Sequence, residues 1–127
     1  ERFAQLPEAE ALEHFINYIG NSILVAHHAG FDKSMINKAL ARNGLPRLQN
    51  KFLDTAILYK KTRIVTNFID KNKVYSLDEI AEDYNIDLTD RHTASGDAFI
   101  TALIFMKLIA KIDAKNIKIR KLLRYRY

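Results

Sequence analysis

Apolar positions along this chain keep two rhythms, one helical and one not. Leu12, Phe15, Ile16 and Ile19 fall on a single helical face, with Pro7 ahead of them, Glu8 and Glu10 where a first turn favours acids, and Gly20 behind. This predicts a helix from about residue 8 to 19. The next run, "SILVA" at residues 22 to 26, is short, aliphatic and without alternation, as expected of a central parallel strand buried on both faces. In "HHAGFDKSMINKALARNGLP" helical spacing returns through Phe31, Met35, Ile36, Ala39 and Leu40 until Asn43, Gly44 and Pro46 stop it. "KFLDTAILYKKT" repeats that order in brief, with Phe52 and Leu53 as strand, Asp54 and Thr55 as caps, and Ala56 to Tyr59 opening a helix.

Two strand-then-helix units in series predict an α/β fold. Residues 63 to 75, "RIVTNFIDKNKVY", have no period and read as a loop. Ser76 with Glu79 forms a capping box for a short helix, and residues 94 to about 112 form the longest one. Phe99, Leu103, Phe105, Met106, Leu108 and Ile109 spread nearly all round that last helix, which predicts burial against a sheet. The predicted helices carry more apolar surface than two short strands cover. Either the helices pack on one another, or further strands belong ahead of Glu1.

At 127 residues the chain has the size of one domain. The absence of cysteine excludes disulfides and thiolate zinc sites and suits a reducing cytoplasm, while no apolar run reaches membrane-spanning length. The expectation is a soluble cytoplasmic protein. Its net charge of +5 is unevenly placed, since residues 1–114 hold 14 basic and 15 acidic residues. The excess lies in residues 115–127, where Lys115, Lys118, Arg120, Lys121, Arg124 and Arg126 meet no acid. That tail reads as a basic helix or linker, either a solvated helix face or a contact for phosphates.

The chemistry-bearing residues are ambiguous one by one. Asp32 follows the first strand near the start of its helix, the edge of an open α/β sheet where ligands bind, yet a first-turn acid there is also an ordinary helix stabiliser. Asp54 reads as a cap. In "RHTASGDAFI" His92 and Asp97 lie five apart, a step that turns two helical side chains away from each other. They converge only if His92 lies on the loop ahead of the helix, with Thr93 to Gly96 as a small, flexible bridge. Such a placement offers a mobile base beside an anchored carboxylate.

Taken together, "LVAHHAGFD" and "HTASGDA" resemble two of the three motifs of the histidine-bearing branch of the DEDD proofreading-type exonucleases, a DnaQ-like family with a ribonuclease H-like fold. The first resembles the family's H-N-A-x-F-D after a central strand. The second matches H-x-A-x-x-D-A at His92, Ala94, Asp97 and Ala98. The resemblance implies a 3′–5′ exonuclease that hydrolyses phosphodiester bonds of DNA or RNA from a free, single-stranded 3′ end. It implies two divalent ions, magnesium or manganese, with Asp97 and Asp32 as metal carboxylates and His92 as general base.

Two departures follow from the same resemblance. His28 stands where the family has Asn, and the family's first motif, Asp-x-Glu on the sheet's first strand, has no counterpart ahead of Asp32. The expectation is therefore a C-terminal part of an exonuclease domain over residues 1–114, inactive as an isolated segment. Two rival readings stand beside it. One is a non-catalytic nucleic-acid or protein binding module that keeps the fold. The other is a mononuclear zinc hydrolase using His27 or His28 with Asp32 and His92, which requires the adjacent histidines to point to opposite sides of a strand.

Overall fold

A computed structural model of the chain describes residues 7–63 and 72–114. Its elements run α1 (Glu8–Ile19), β1 (Leu24–Ala26), α2 (Ala29–Arg42), β2 (Phe52–Asp54), α3 (Thr55–Arg63), α4 (Leu77–Asp83) and α5 (Ala94–Ala114). The two strands pair in parallel, with Leu24 opposite Phe52, Val25 opposite Leu53 and Ala26 opposite Asp54. This is the α/β architecture expected, with helices on both faces of a small parallel sheet. None of the described helices is long and apolar enough to cross a membrane.

Alternation along the strands divides the core in two. Phe52, Leu24 and Ala26 face Ile19, Ala29, Leu40 and Leu48, joining α1 and α2 to one side of the sheet. Leu53 and Val25 face the other side, among Leu58, Tyr59, Leu77, Ile80 and one edge of α5. Successive strand side chains point to opposite faces, so three-residue strands suffice to serve both layers.

The helix ends follow their local signals. Ser76 Oγ accepts from the Glu79 N–H while Glu79 Oε1 accepts from the Ser76 N–H, completing the capping box at 3.1 and 3.2 Å. Gly20, at φ +48°, ends α1 in a backbone conformation that a side chain would strain.

Three expectations are corrected. β1 is half-buried and, among the described residues, has β2 as its one strand neighbour, so it is not a central strand buried on both faces. On α5 the buried stripe is Ile100, Ile104, Leu108 and Ile112, four apart, while Phe99 and Met106 are 64% and 67% exposed. The helix is therefore one-sided, because a four-residue step returns nearly to the same face and gathers these aliphatic residues toward α3, α4 and β1. Each residue of that stripe contributes about 1.5–3 kcal/mol by leaving water. On α2, Phe31 and Met35 point outward, and Ala29, Asn37 and Leu40 form the packed face. Of the expected loop 63–75, residues 64–71 lie outside the described part, as does the basic tail 115–127.

Candidate active site

The chain must turn from β1 into α2 within two residues, and it does so through His28 in a left-handed conformation, φ 59° and ψ 55°. Among residues with side chains, Asn, Asp and His tolerate that region best, which gives position 28 a backbone reason for its residue type. The turn is braced from the neighbouring strand. Asp54 Oδ1 accepts the N–H of His28 at 3.1 Å and of Ala56 at 2.9 Å, and Oδ2 accepts the N–H of Ala29 at 2.9 Å. Asp54 thus caps α3, as its sequence position suggests, and also the entry to α2, which lies 25 residues earlier.

His27 is fixed more firmly. Nε2 donates to the Tyr75 carbonyl at 2.8 Å, which in the neutral ring leaves Nδ1 to accept from the Thr55 hydroxyl, also at 2.8 Å. Burial, reinforced by the charges of His28 and Arg91, holds its pKa below the ordinary histidine value against the opposing Tyr75 bond and Asp54. Both ring nitrogens are engaged, so neither is left for zinc. The rings of His27 and His28 lie 4.4 Å apart rather than on opposite sides, because His28 has already left the strand conformation. This geometry takes His27 out of the zinc hydrolase reading and leaves that reading His28 alone of the pair.

Asp32 lies in the first turn of α2, half-buried. Burial and then the nearby Asp54 carboxylate push its carboxyl above the ordinary aspartate value, with His28 partly opposing them. Among the described residues it accepts no hydrogen bond, and it is not the N-cap of its helix. An acid held near a second acid and without a hydrogen-bonding partner favours a cation.

The second turn, from α4 into α5, uses the same brace with local parts. His92 is left-handed at φ 78°, and its N–H donates to Asp97 Oδ1 at 2.9 Å. Arg91 Nη1 donates to Asp97 Oδ2 at 2.8 Å, and Arg91 Nε donates to Asp78 Oδ1 of α4 at 2.6 Å. The His92 N–H, assisted by Arg91, holds the Asp97 carboxyl below its ordinary value despite some desolvation. His92 and Asp97 do converge with His92 ahead of the helix. The bridge between them is not flexible, however, since Ala94 is already the first helical residue. Thr93 Oγ1 accepts the Gly96 N–H at 2.9 Å as a helix cap, and a Cβ on Gly96 would stand 1.9 Å from the Asp90 carbonyl oxygen. Gly96 is small because the turn closes down on the helix.

No hydrogen bond or ion pair joins Asp32 to Asp97 among the described residues, and no three or more His, Asp or Glu side chains there gather as a metal ion would need. Asp97 has both oxygens occupied by His92 and Arg91. The described residues therefore do not by themselves form a metal centre. Arg91, the Tyr75 carbonyl and Thr55 were not among the expected site residues. Arg91 adjoins His92 in sequence, but its two carboxylate partners lie on different elements and only folding selects them.

Residues 3–105 match the sequence model of the family described as Exonuclease, RNase T type. The chain is similar to DNA polymerase III PolC-type proteins, 35% identical over 109 residues to that of Caldanaerobacter subterraneus subsp. tengcongensis and 30% over 108 residues to that of Staphylococcus saprophyticus. These alignments cover 86% and 85% of the chain. The chain spans 7% of the length of either relative. The family match takes in both turns together with the strands and helices that hold them, and the fold is that of a ribonuclease H-like exonuclease. The chain belongs to the exonuclease family.

Proposed function

We propose that this chain carries part of a 3′–5′ exonuclease site that hydrolyses phosphodiester bonds at the 3′ end of a single-stranded nucleic acid. The observation that supports it most directly is the His92–Asp97 brace, which sets an exposed imidazole beside a carboxylate held toward its ionised form. His92 is anchored by its backbone while its ring is exposed, so the ring is able to approach a substrate-bound water and remove its proton as it attacks phosphorus. Asp97 orients that base through the backbone bond, and the same bond, assisted by Arg91, favours the ionised carboxylate.

The same reading assigns two divalent cations, magnesium or manganese, to the reaction, with Asp32 and Asp97 as the ligands drawn from the described residues. Further ligands must come from residues other than these, since the described part gathers no three-ligand cluster. Residues 1–114 are assigned to the exonuclease domain and 115–127 to a basic extension. The engagement of both Asp97 oxygens supports a second reading, a binding module that keeps the fold without catalysis.

One experiment separates them. A single strand labelled along its length is incubated, in magnesium, manganese or chelator, with residues 1–127 and with a longer form of the protein that supplies the further ligands. Stepwise release of mononucleotides from the 3′ end in either metal, and none in chelator, is expected of the form with its ligands complete, and little release by residues 1–127 alone. Binding of the strand by the completed form with no release in any metal would leave the module reading and overturn the enzymatic one.

A further inference from the structure

The outer face of α2 carries cations that the exonuclease chemistry does not use. Residues 30, 33, 34, 37, 38 and 41 follow one another at three- and four-residue steps and so share one face, which with Arg47 lines a groove of about 430 Å³. The groove follows α2 from Gly30 to Ala41, about 16 Å at the helical rise. Its upper end, at Gly30, lies in the same helical turn as Asp32. Lys33, Lys38 and Arg47 line it, Ser34 adds a hydroxyl, and no lining residue is acidic.

Elsewhere in the described part, two arginines are engaged by carboxylates. Arg42, on the same helix, pairs with Glu8 at 2.9 Å, and Arg91 pairs with Asp78 and Asp97. Lys38 and Arg47 make no ion pair among the described residues, and Lys33 rests over the Phe52 ring at 5.9 Å. Three cations without carboxylate partners in one concave strip make a local positive field on a body whose residues 1–114 have 14 basic and 15 acidic side chains. We propose that this groove is a track for the phosphate backbone of a single-stranded polynucleotide, leading from the turn of Asp32 toward Arg47. The proposal rests on the exonuclease reading for the identity of the strand. A polyanion fits because its regularly spaced charges meet a row of cations, and the released counterions favour binding.

The test compares K38Q/R47Q with K51Q/K107Q, which removes the same charge from exposed positions outside the groove. Lys33 is left in place because of its contact with Phe52. Affinity of the full chain for a labelled twelve-nucleotide single strand is measured from 50 to 200 mM salt, in chelator so that the strand stays intact. Two lost phosphate contacts should lower the slope of log affinity against log salt by about 1.4 in K38Q/R47Q, and the other pair should leave it unchanged. Equal slopes in the two variants, with binding intact, overturn the groove alone. No binding by the unaltered chain at any salt overturns the groove, while the exonuclease reading is decided separately by the release of mononucleotides in metal. An acidic oligopeptide that loses affinity in K38Q/R47Q, while the strand does not, reassigns the groove to a protein partner and also overturns the proposal.

Discussion

Two turns in this molecule solve the same problem with parts drawn from different distances. Each leads into a helix, each passes through a left-handed histidine, and in each an aspartate accepts that histidine's N–H, His28 with Asp54 and His92 with Asp97. The Asp54 brace is buried and crosses from a neighbouring strand, and its oxygens are given to backbone groups of two helices. The Asp97 brace is local, partly exposed and shared with an arginine. The first is suited to holding the fold and the second to doing chemistry, because Asp54 is buried and gives its oxygens to three backbone N–H groups, whereas Asp97 stays partly exposed beside the exposed His92.

The sharpest test of that division exchanges the histidines' side chains for methyl groups. His92→Ala should lower turnover by about 10²–10⁴-fold, the usual contribution of a positioned general base, with about 1–2 kcal/mol lost in unfolding because Ala tolerates the left-handed backbone less well. His28→Ala should move turnover far less. Equal kinetic losses at the two positions would abolish the distinction.

Removing the buried brace should appear in stability instead. Asp54→Ala leaves the N–H groups of His28, Ala29 and Ala56 without their acceptor, and a loss of about 2–4 kcal/mol is expected in urea unfolding. Asp97→Ala, at the more exposed brace, should unfold more easily by a smaller margin, and the reverse ranking would refute the assignment of roles.

Gly96→Ala probes how tightly the local turn closes. Its new methyl group meets backbone of residue 90, which cannot rotate away, so about 1–3 kcal/mol of destabilisation is expected in the same assay. A neutral outcome would mean that the bridge is as flexible as its small residues suggest.

The smallest expected effect is on pH dependence. His27 has a lowered folded-state pKa, so its contribution to stability is full above the unfolded value of 6.5 and is lost as pH falls through the folded value. Asp97 behaves likewise in a more acidic window, below the ordinary 3.8. Asp32 has a raised pKa and works in the opposite direction, opposing folding once it ionises at higher pH. Unfolding midpoints from pH 7.5 to 5.5 should therefore decline in the unaltered chain and decline less in His27→Gln. Ring-proton NMR showing His27 titrating at or above 6.5 would contradict this account.

Much of this organisation was written locally. The bounds of α1, the capping box of α4, the order of strands and helices and the convergence of His92 with Asp97 each depend on residues within a few positions of one another. The buried stripe of α5 is not legible in the sequence, because its apolar residues are dense enough to suggest several faces. Packing against α3, α4 and β1 selected Ile100, Ile104, Leu108 and Ile112.

What the sequence determined by itself is the set of short-range devices, since backbone geometry and capping are satisfied within a turn or two of the chain. Tertiary structure alone decided that Asp54 holds the entry to α2, that His27 is locked between Thr55 and the Tyr75 carbonyl, and that Arg91 ties Asp97 to Asp78. Those bonds join groups far apart in sequence or on separate elements. No periodicity encodes them, because a polar group's partner is whichever group the packed core leaves within about 3 Å.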